Sequence, residues 1–138
     1  SARRQWNLVA NHELCYHYLG DFDREMLKTI TSEKNFNKTP VVEIWHNDGD
    51  QVLAFMRGDL LFVFNFSPTR SFTDYGFLVP TGSYSVVLDS DSKDFGGNGL
   101  NDDTMTHLTN YDPLYVKDRK EWLKLYLPAR TALVLKKN

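Results

Sequence analysis

The sequence predicts a mainly β domain, a sandwich or a barrel, preceded by an amphipathic N-terminal helix. Three observations predict it. Composition changes at Pro40, from helix formers to β-branched and aromatic residues. Beyond Pro40, short apolar runs alternate densely with turn residues, the pattern of packed or closed sheets. One of those runs, Leu60 to Phe66, is apolar on both alternating faces. Leu60, Phe62, Phe64 and Phe66 point one way, and Leu61 and Val63 the other, with Asn65 the single polar residue. A strand reads like that when protein covers both its faces, so it should be central in its sheet.

The elements follow in order. Residues 1–10 carry Arg3, Arg4 and Trp6. Asn11 is placed to cap a helix, with Glu13 in its first turn. Leu14, Tyr18, Leu19, Phe22, Met26, Leu27 and Ile30 recur at spacings of three and four, which predicts a helix to about Ser32. Gly20 weakens that helix by about 1 kcal/mol relative to alanine. Asn35 to Pro40 reads as a polar linker.

Strands are then expected at 41–46, 51–57, 60–67, 71–78, 83–89, 121–128 and 130–136. Asn47-Asp48-Gly49-Asp50 and Arg57-Gly58-Asp59 are hairpin turns, and Pro80-Thr81-Gly82 is another turn. Ser67-Pro68-Thr69 ends the central strand, because proline donates no ladder hydrogen bond. Residues 90–118 form a long polar loop with one edge strand near 104–109.

A chain of 138 residues suffices for one domain and an appendage, and needs neither disulfide nor metal to hold a core. Its formal net charge of −2 argues against general nucleic-acid binding. Charge is nevertheless uneven. Residues 89–112 hold six aspartates and one lysine, and residues 117–138 hold seven Lys or Arg. Such blocks are solvated surfaces or steer a partner. The single cysteine, Cys15, permits no internal disulfide and reads as a small buried hydrophobe. No run approaches about 18 apolar residues, so no membrane span is expected. The chain does not begin with methionine, which suggests an excised fragment.

No constellation carries catalytic chemistry. Asp89-Ser90-Asp91 with Asp94 offers clustered oxygens to calcium, but the EF-hand spacing and its closing glutamate are missing. An Asx-turn in which Asp89 caps a strand end accounts for the same residues. His12 and His17 are too far apart for the paired histidines of a helical zinc site. Gly96-Gly97-Asn98-Gly99 precedes no helix that could hold a phosphate, and His107 beside Asp102-Asp103 reads as a surface group. Paired carboxylates recur through the acidic loop, and none of them is flanked by apolar residues that would raise its pKa. No cofactor or metal is expected.

Glu121 to Leu127 is more informative. Leu123, Leu125 and Leu127 claim the core, which turns Trp122, Lys124 and Tyr126 to the opposite face. A flat strip of that kind can stack on sugar rings. Packing beneath the N-terminal helix or another domain explains it equally well.

Several of these blocks together carry a resemblance. LLFVFNFSPTRSFTDYGFLVPTGSYSVVLDSDSKDFGG, followed later by LYLPARTALVLKK, resembles the C-terminal region of the 1,4-α-glucan branching enzymes of glycogen and starch synthesis. RRQWNLVANHELCYHYLGDFDREMLKTI is similar to their last barrel helix. The resemblance covers nearly the whole chain and places it in the α-amylase superfamily. It implies a Greek-key β-sandwich, the C-terminal all-β domain of that superfamily. Residues 1–38 would then be the last helical segment of the catalytic (β/α)8 barrel plus a linker, and residues 39–138 the sandwich. The family's retaining chemistry uses two carboxylates at the ends of barrel strands. No such strands are present here, so no catalytic residue carries over. The resemblance implies a non-catalytic module that stabilises the barrel of its parent chain, with Trp122, Lys124 and Tyr126 as the candidate α-glucan contact. The rival readings are an independent carbohydrate-binding module and a purely structural cap. It also implies a cytoplasmic location, or a plastid in a plant. No cofactor, nucleic acid or membrane partner is implied.

Overall fold

The computed structural model describes residues 21–33, 38–114, 117 and 119–138. A helix, α1 (Asp21–Ser32), precedes nine strands. These are β1 (Val41–Asn47), β2 (Val52–Arg57), β3 (Leu60–Asn65), β4 (Phe72–Phe77), β5 (Ser83–Asp89), β6 (Thr106–Leu108), β7 (Asn110–Tyr111), β8 (Glu121–Leu127) and β9 (Thr131–Lys137). They form a six-stranded sheet in the order β1-β2-β3-β9-β5-β6 and a three-stranded sheet in the order β4-β8-β7. Every pairing is antiparallel. The chain changes sheet between β3 and β4, β4 and β5, β6 and β7, and β8 and β9, and β9 returns late to lie between β3 and β5. The seven long strands match their expected positions to within one or two residues. The edge strand expected near 104–109 is β6, and β7 was not anticipated.

Burial of β3 on both faces fixes the layers. Leu61 and Val63 join Val52, Ala54, Phe77, Leu123, Leu125 and Leu127 in the core between the sheets. Leu60, Phe62 and Phe64 lie in a second cluster on the other face of the large sheet. There Phe55 stacks on Phe62, with ring centroids 4.8 Å apart, and Phe64 on Phe66 at 5.5 Å. Met26 of α1, 2% exposed, belongs to this second cluster, and Ile30 packs against it. Lys136 of β9 reaches Glu33, just beyond the helix, at 2.8 Å. The described part of the predicted helix therefore covers the outer face of the large sheet. Asn11, Leu14, Cys15, Tyr18, Leu19 and Gly20 lie outside the described residues, as do His12 and His17.

Asn65 ties two of the sheet-crossing connections together, β3–β4 and β8–β9. It is 1% exposed, and its Nδ2 donates to the carbonyls of Arg70 (2.8 Å), Leu127 (3.2 Å) and Pro128 (3.1 Å). Its Oδ1 accepts from the amide of Ser67 at 3.0 Å. Ser67 continues the corner. Its hydroxyl accepts from the Arg70 amide at 3.0 Å and its carbonyl from the Arg130 amide at 3.0 Å. The one polar residue of the central strand thus supplies hydrogen bonds where two corners leave the ladder. Buried backbone groups need such partners.

Candidate functional site

Three surfaces merit chemical scrutiny. The first is the strip on β8. Leu123, Leu125 and Leu127 are buried, and Trp122, Lys124 and Tyr126 stand on the opposite face, as alternation requires. The indole of Trp122 is half-buried, lying over Gly76 of β4, where an added Cβ would meet it at 3.4 Å. Lys124 is paired with Asp112 at 3.1 Å. The Leu114 amide and that ammonium hold the Asp112 carboxyl below its usual range. Tyr126 is half-buried, and its carbonyl accepts from Asn101 at 3.2 Å. The described helix packs on the other sheet, so it does not cover this strip.

The second surface was not singled out from the sequence. Ile44 is an extra residue between Glu43 and Trp45 in the β1–β2 ladder, a bulge at the sheet edge. Ile44 packs into the inter-sheet core, while Trp45 is 45% exposed. Trp45 Nε1 donates to the Tyr75 hydroxyl at 2.9 Å, and that hydroxyl donates to Asp50 Oδ2 at 2.8 Å. Arg70 reaches Asp50 Oδ1 at 3.2 Å, and its guanidinium lies 4.9 Å from the centre of the Phe72 ring. Burial, aided by the Asp50 carboxylate, pushes the Tyr75 phenol up to about 12, so it remains a donor. A fixed indole face beside a carboxylate and a guanidinium suits a ligand with both C–H patches and hydroxyls.

The third is a groove of about 640 Å³ between α1 and the end of β5. Arg24, Glu25 and Lys28 line its helical side, and Leu88, Asp89, Phe95 and Asp103 line the other. Asp89 is 2% exposed. Its Oδ1 accepts from the Asp91 amide at 2.9 Å, the Asx-turn expected from the sequence. The side chain departs from expectation in one respect: burial, with the Asp103 carboxyl beside it, pushes its pKa up to about 7. The expectation that no carboxyl here is raised fails because Asp103 and part of the apolar surroundings are brought up by the fold. Met26 of α1 and Phe95 of the following loop join Leu88, the neighbour of Asp89 in β5, in one apolar cluster.

The adjoining loop is less irregular than its composition suggests. Asp91 Oδ1 accepts from the Asn98 amide and Oδ2 from the Leu100 amide, both at 3.0 Å, while its carbonyl accepts from Gly99 at 2.7 Å. A Cβ on Gly97 would overlap the Asp91 carbonyl, so glycine is needed for this close approach. Asp89 and Asp91, two of the aspartates considered for calcium, are thus used as turn acceptors. Among the described residues no group of three or more His, Cys, Asp or Glu side chains is arranged to hold a metal ion. Nor is any helix there long and apolar enough to cross a membrane.

Comparison with known proteins agrees with this architecture. Residues 44–138 match the family described as alpha amylase, C-terminal all-beta domain. Over 135 residues, 97% of the chain, it is 44% identical to a 1,4-alpha-glucan-branching enzyme of Emericella nidulans. It is 40% identical over 136 residues to that of Saccharomyces cerevisiae, and 42% over 142 residues to that of Dictyostelium discoideum. The chain spans 19%, 19% and 20% of these relatives respectively.

Proposed function

The chain belongs to the alpha-amylase C-terminal all-beta domain family, and we propose that it serves as the non-catalytic C-terminal module of a 1,4-α-glucan branching enzyme. The carrying observation is that one fifth of each branching enzyme accounts for nearly the whole of this chain. The parent would transfer α-1,4-glucan segments to sugar 6-hydroxyls, using carboxylates of a barrel outside this region. Residues 1–38 are its last barrel helix and linker, and residues 39–138 the sandwich. Packing of Met26 and Ile30 on the large sheet supports this division, because the helix then couples the two bodies. The parent acts in the cytoplasm, or in a plastid if the source is a plant.

The module's work is to hold the flank of the barrel and contribute glucan contacts. Trp122, Lys124 and Tyr126 are the proposed contact, since their shared face can cover a sugar ring while Lys124 donates to hydroxyls. A second reading places the contact at Trp45, favoured by its greater exposure and its hydrogen-bonded neighbours. Each ring buried is worth about 1–2 kcal/mol by apolar area. Binding by one module is therefore weak, on the order of millimolar, and matters in multivalent engagement of a branched polymer.

The test has two arms. In a branch-linkage assay the isolated chain should show no activity above blank. Activity that disappears on mutating a residue of this chain would overturn the non-catalytic reading. In an NMR titration with maltoheptaose, Trp122→Ala should abolish the shifts and Trp45→Ala should leave them. The reverse pattern moves the contact to the second surface, and no shifts at all leave a structural cap.

A further inference from the structure

We propose that Asp89 and Asp103 form a carboxyl pair that shares one proton, a latch that fastens the 90–105 loop to the end of β5 and lets go as that proton is lost. Four observations carry it. Asp89 is almost wholly buried, and its Oδ2 has no hydrogen-bond partner when the group is ionised. Asp103 Oδ1 is likewise buried and unpartnered. The two carboxyls are within hydrogen-bonding reach of each other and line the same groove. Among the described residues no other donor is bonded to these two oxygens. Glu25 and Lys28 of α1 engage each other at 3.3 Å, and Asp91 spends its oxygens on backbone amides.

Two carboxylates placed together in a dry site cannot both ionise cheaply, and one retained proton turns their repulsion into a charge-assisted hydrogen bond. The facing groups make the balance asymmetric. Asp91, Asp94 and Glu25 add negative charge, while Arg24 and Lys28 across the groove oppose it. His107, beyond Asp103, is kept mainly neutral by burial, although Asp102 and Asp103 draw it back towards protonation. The value for Asp89, about 7 against 3.8 for an ordinary aspartate, agrees with this geometry.

The sign follows from linkage. The folded pair holds a proton that the unfolded chain releases near pH 4, so its stabilisation is complete below that value. It declines as pH rises and is gone above about 7. Release transfers one proton to solvent and leaves two anions facing each other. The loop bearing Asp103 is the part free to move, because Asp89 is fixed in the ladder opposite Leu133.

The test uses the full chain. Carboxyl-carbon NMR should show the pair titrating near neutrality, and Asp103→Asn, whose amide N–H donates without taking up a proton from solvent, should bring Asp89 below about 5. Amide exchange at Asn98, Gly99 and Leu100 should accelerate from pH 6 to pH 8 in wild type and change only by the intrinsic base-catalysed factor in Asp103→Asn. Titration of both wild-type carboxyls near pH 4 would overturn the proposal, and so would identical exchange profiles in the two proteins. A magnesium or calcium titration at pH 8 adds a third outcome. If millimolar cation slows wild-type exchange and leaves Asp103→Asn unaltered, the pair holds a metal ion in place of a shared proton and the proposal fails. The wild-type NMR titration decides the matter even if the variant does not fold.

Discussion

At the end of β3 the buried Asn65 meets a hydrogen-bond partner in every direction, whereas at the end of β5 the equally buried Asp89 turns one oxygen towards another carboxyl. Both side chains close a strand of the same sheet, and both sit where the ladder gives out. The difference is chemical. An amide carries donors and an acceptor and can satisfy three carbonyls and an amide with no change of charge. A carboxylate only accepts, so beside a second carboxylate it needs a proton. One corner should therefore be indifferent to pH and the other should respond to it.

Converting the first corner into the second gives the largest expected effect. Asn65→Asp sets a carboxylate against the carbonyls of Arg70, Leu127 and Pro128. At pH 7 this should cost at least about 4 kcal/mol, through the buried charge and the donors lost. Part should return as pH falls towards 4. A denaturant midpoint that barely moves would mean the corner does not depend on the amide.

Gly97→Ala should cost about 3 kcal/mol, because a methyl group cannot share space with the Asp91 carbonyl. Exchange should accelerate at Asn98 to Leu100 while the β2–β3 amides stay protected. Loss of protection throughout would show that the loop is not a separate unit. Asp89→Asn makes the second corner resemble the first. It keeps the acceptor for the Asp91 amide and gives Asp103 a donor, so the chain should gain about 2 kcal/mol at pH 8 and nothing at pH 4. An equal change at both values would deny the pH response. Tyr84→Phe, at the other end of β5, removes a neutral donor bonded to the Pro80 carbonyl at 2.7 Å and should cost about 1 kcal/mol at any pH from 4 to 9.

The contrast between the corners also marks what a sequence discloses. Alternation along β8 and the doubly apolar β3 placed the layers, because period-two patterns are local. Asn65 stood out as the polar interruption of β3, but the carbonyls of Leu127 and Pro128 are 62 and 63 residues away and nothing local announces them. Asp89 was legible as an Asx-turn, which spans two residues. The groove that gathers Arg24, Glu25, Phe95 and Asp103 around it was not, because those residues come from other parts of the chain. The two-residue β7 left no periodicity to read, and Trp45 became noticeable only once the bulge at Ile44 carried it to the sandwich edge. Of the proposed glucan contact, the shared face was legible, while the Lys124–Asp112 pair was not.

β9 occupies the slot between β3 and β5, yet every strand beside it precedes it in the chain. During synthesis, the sheet must wait for its middle. Until residues 131–137 leave the ribosome, β3 and β5 each hold an open edge, and Phe62 and Phe64 stand on a strand paired on one side only. Open edges of that kind recruit foreign strands. Translation that stalls or stops before residues 131–137 emerge should thus yield an adhesive chain that engages chaperones, since the missing piece is the centre of the sheet and not its border.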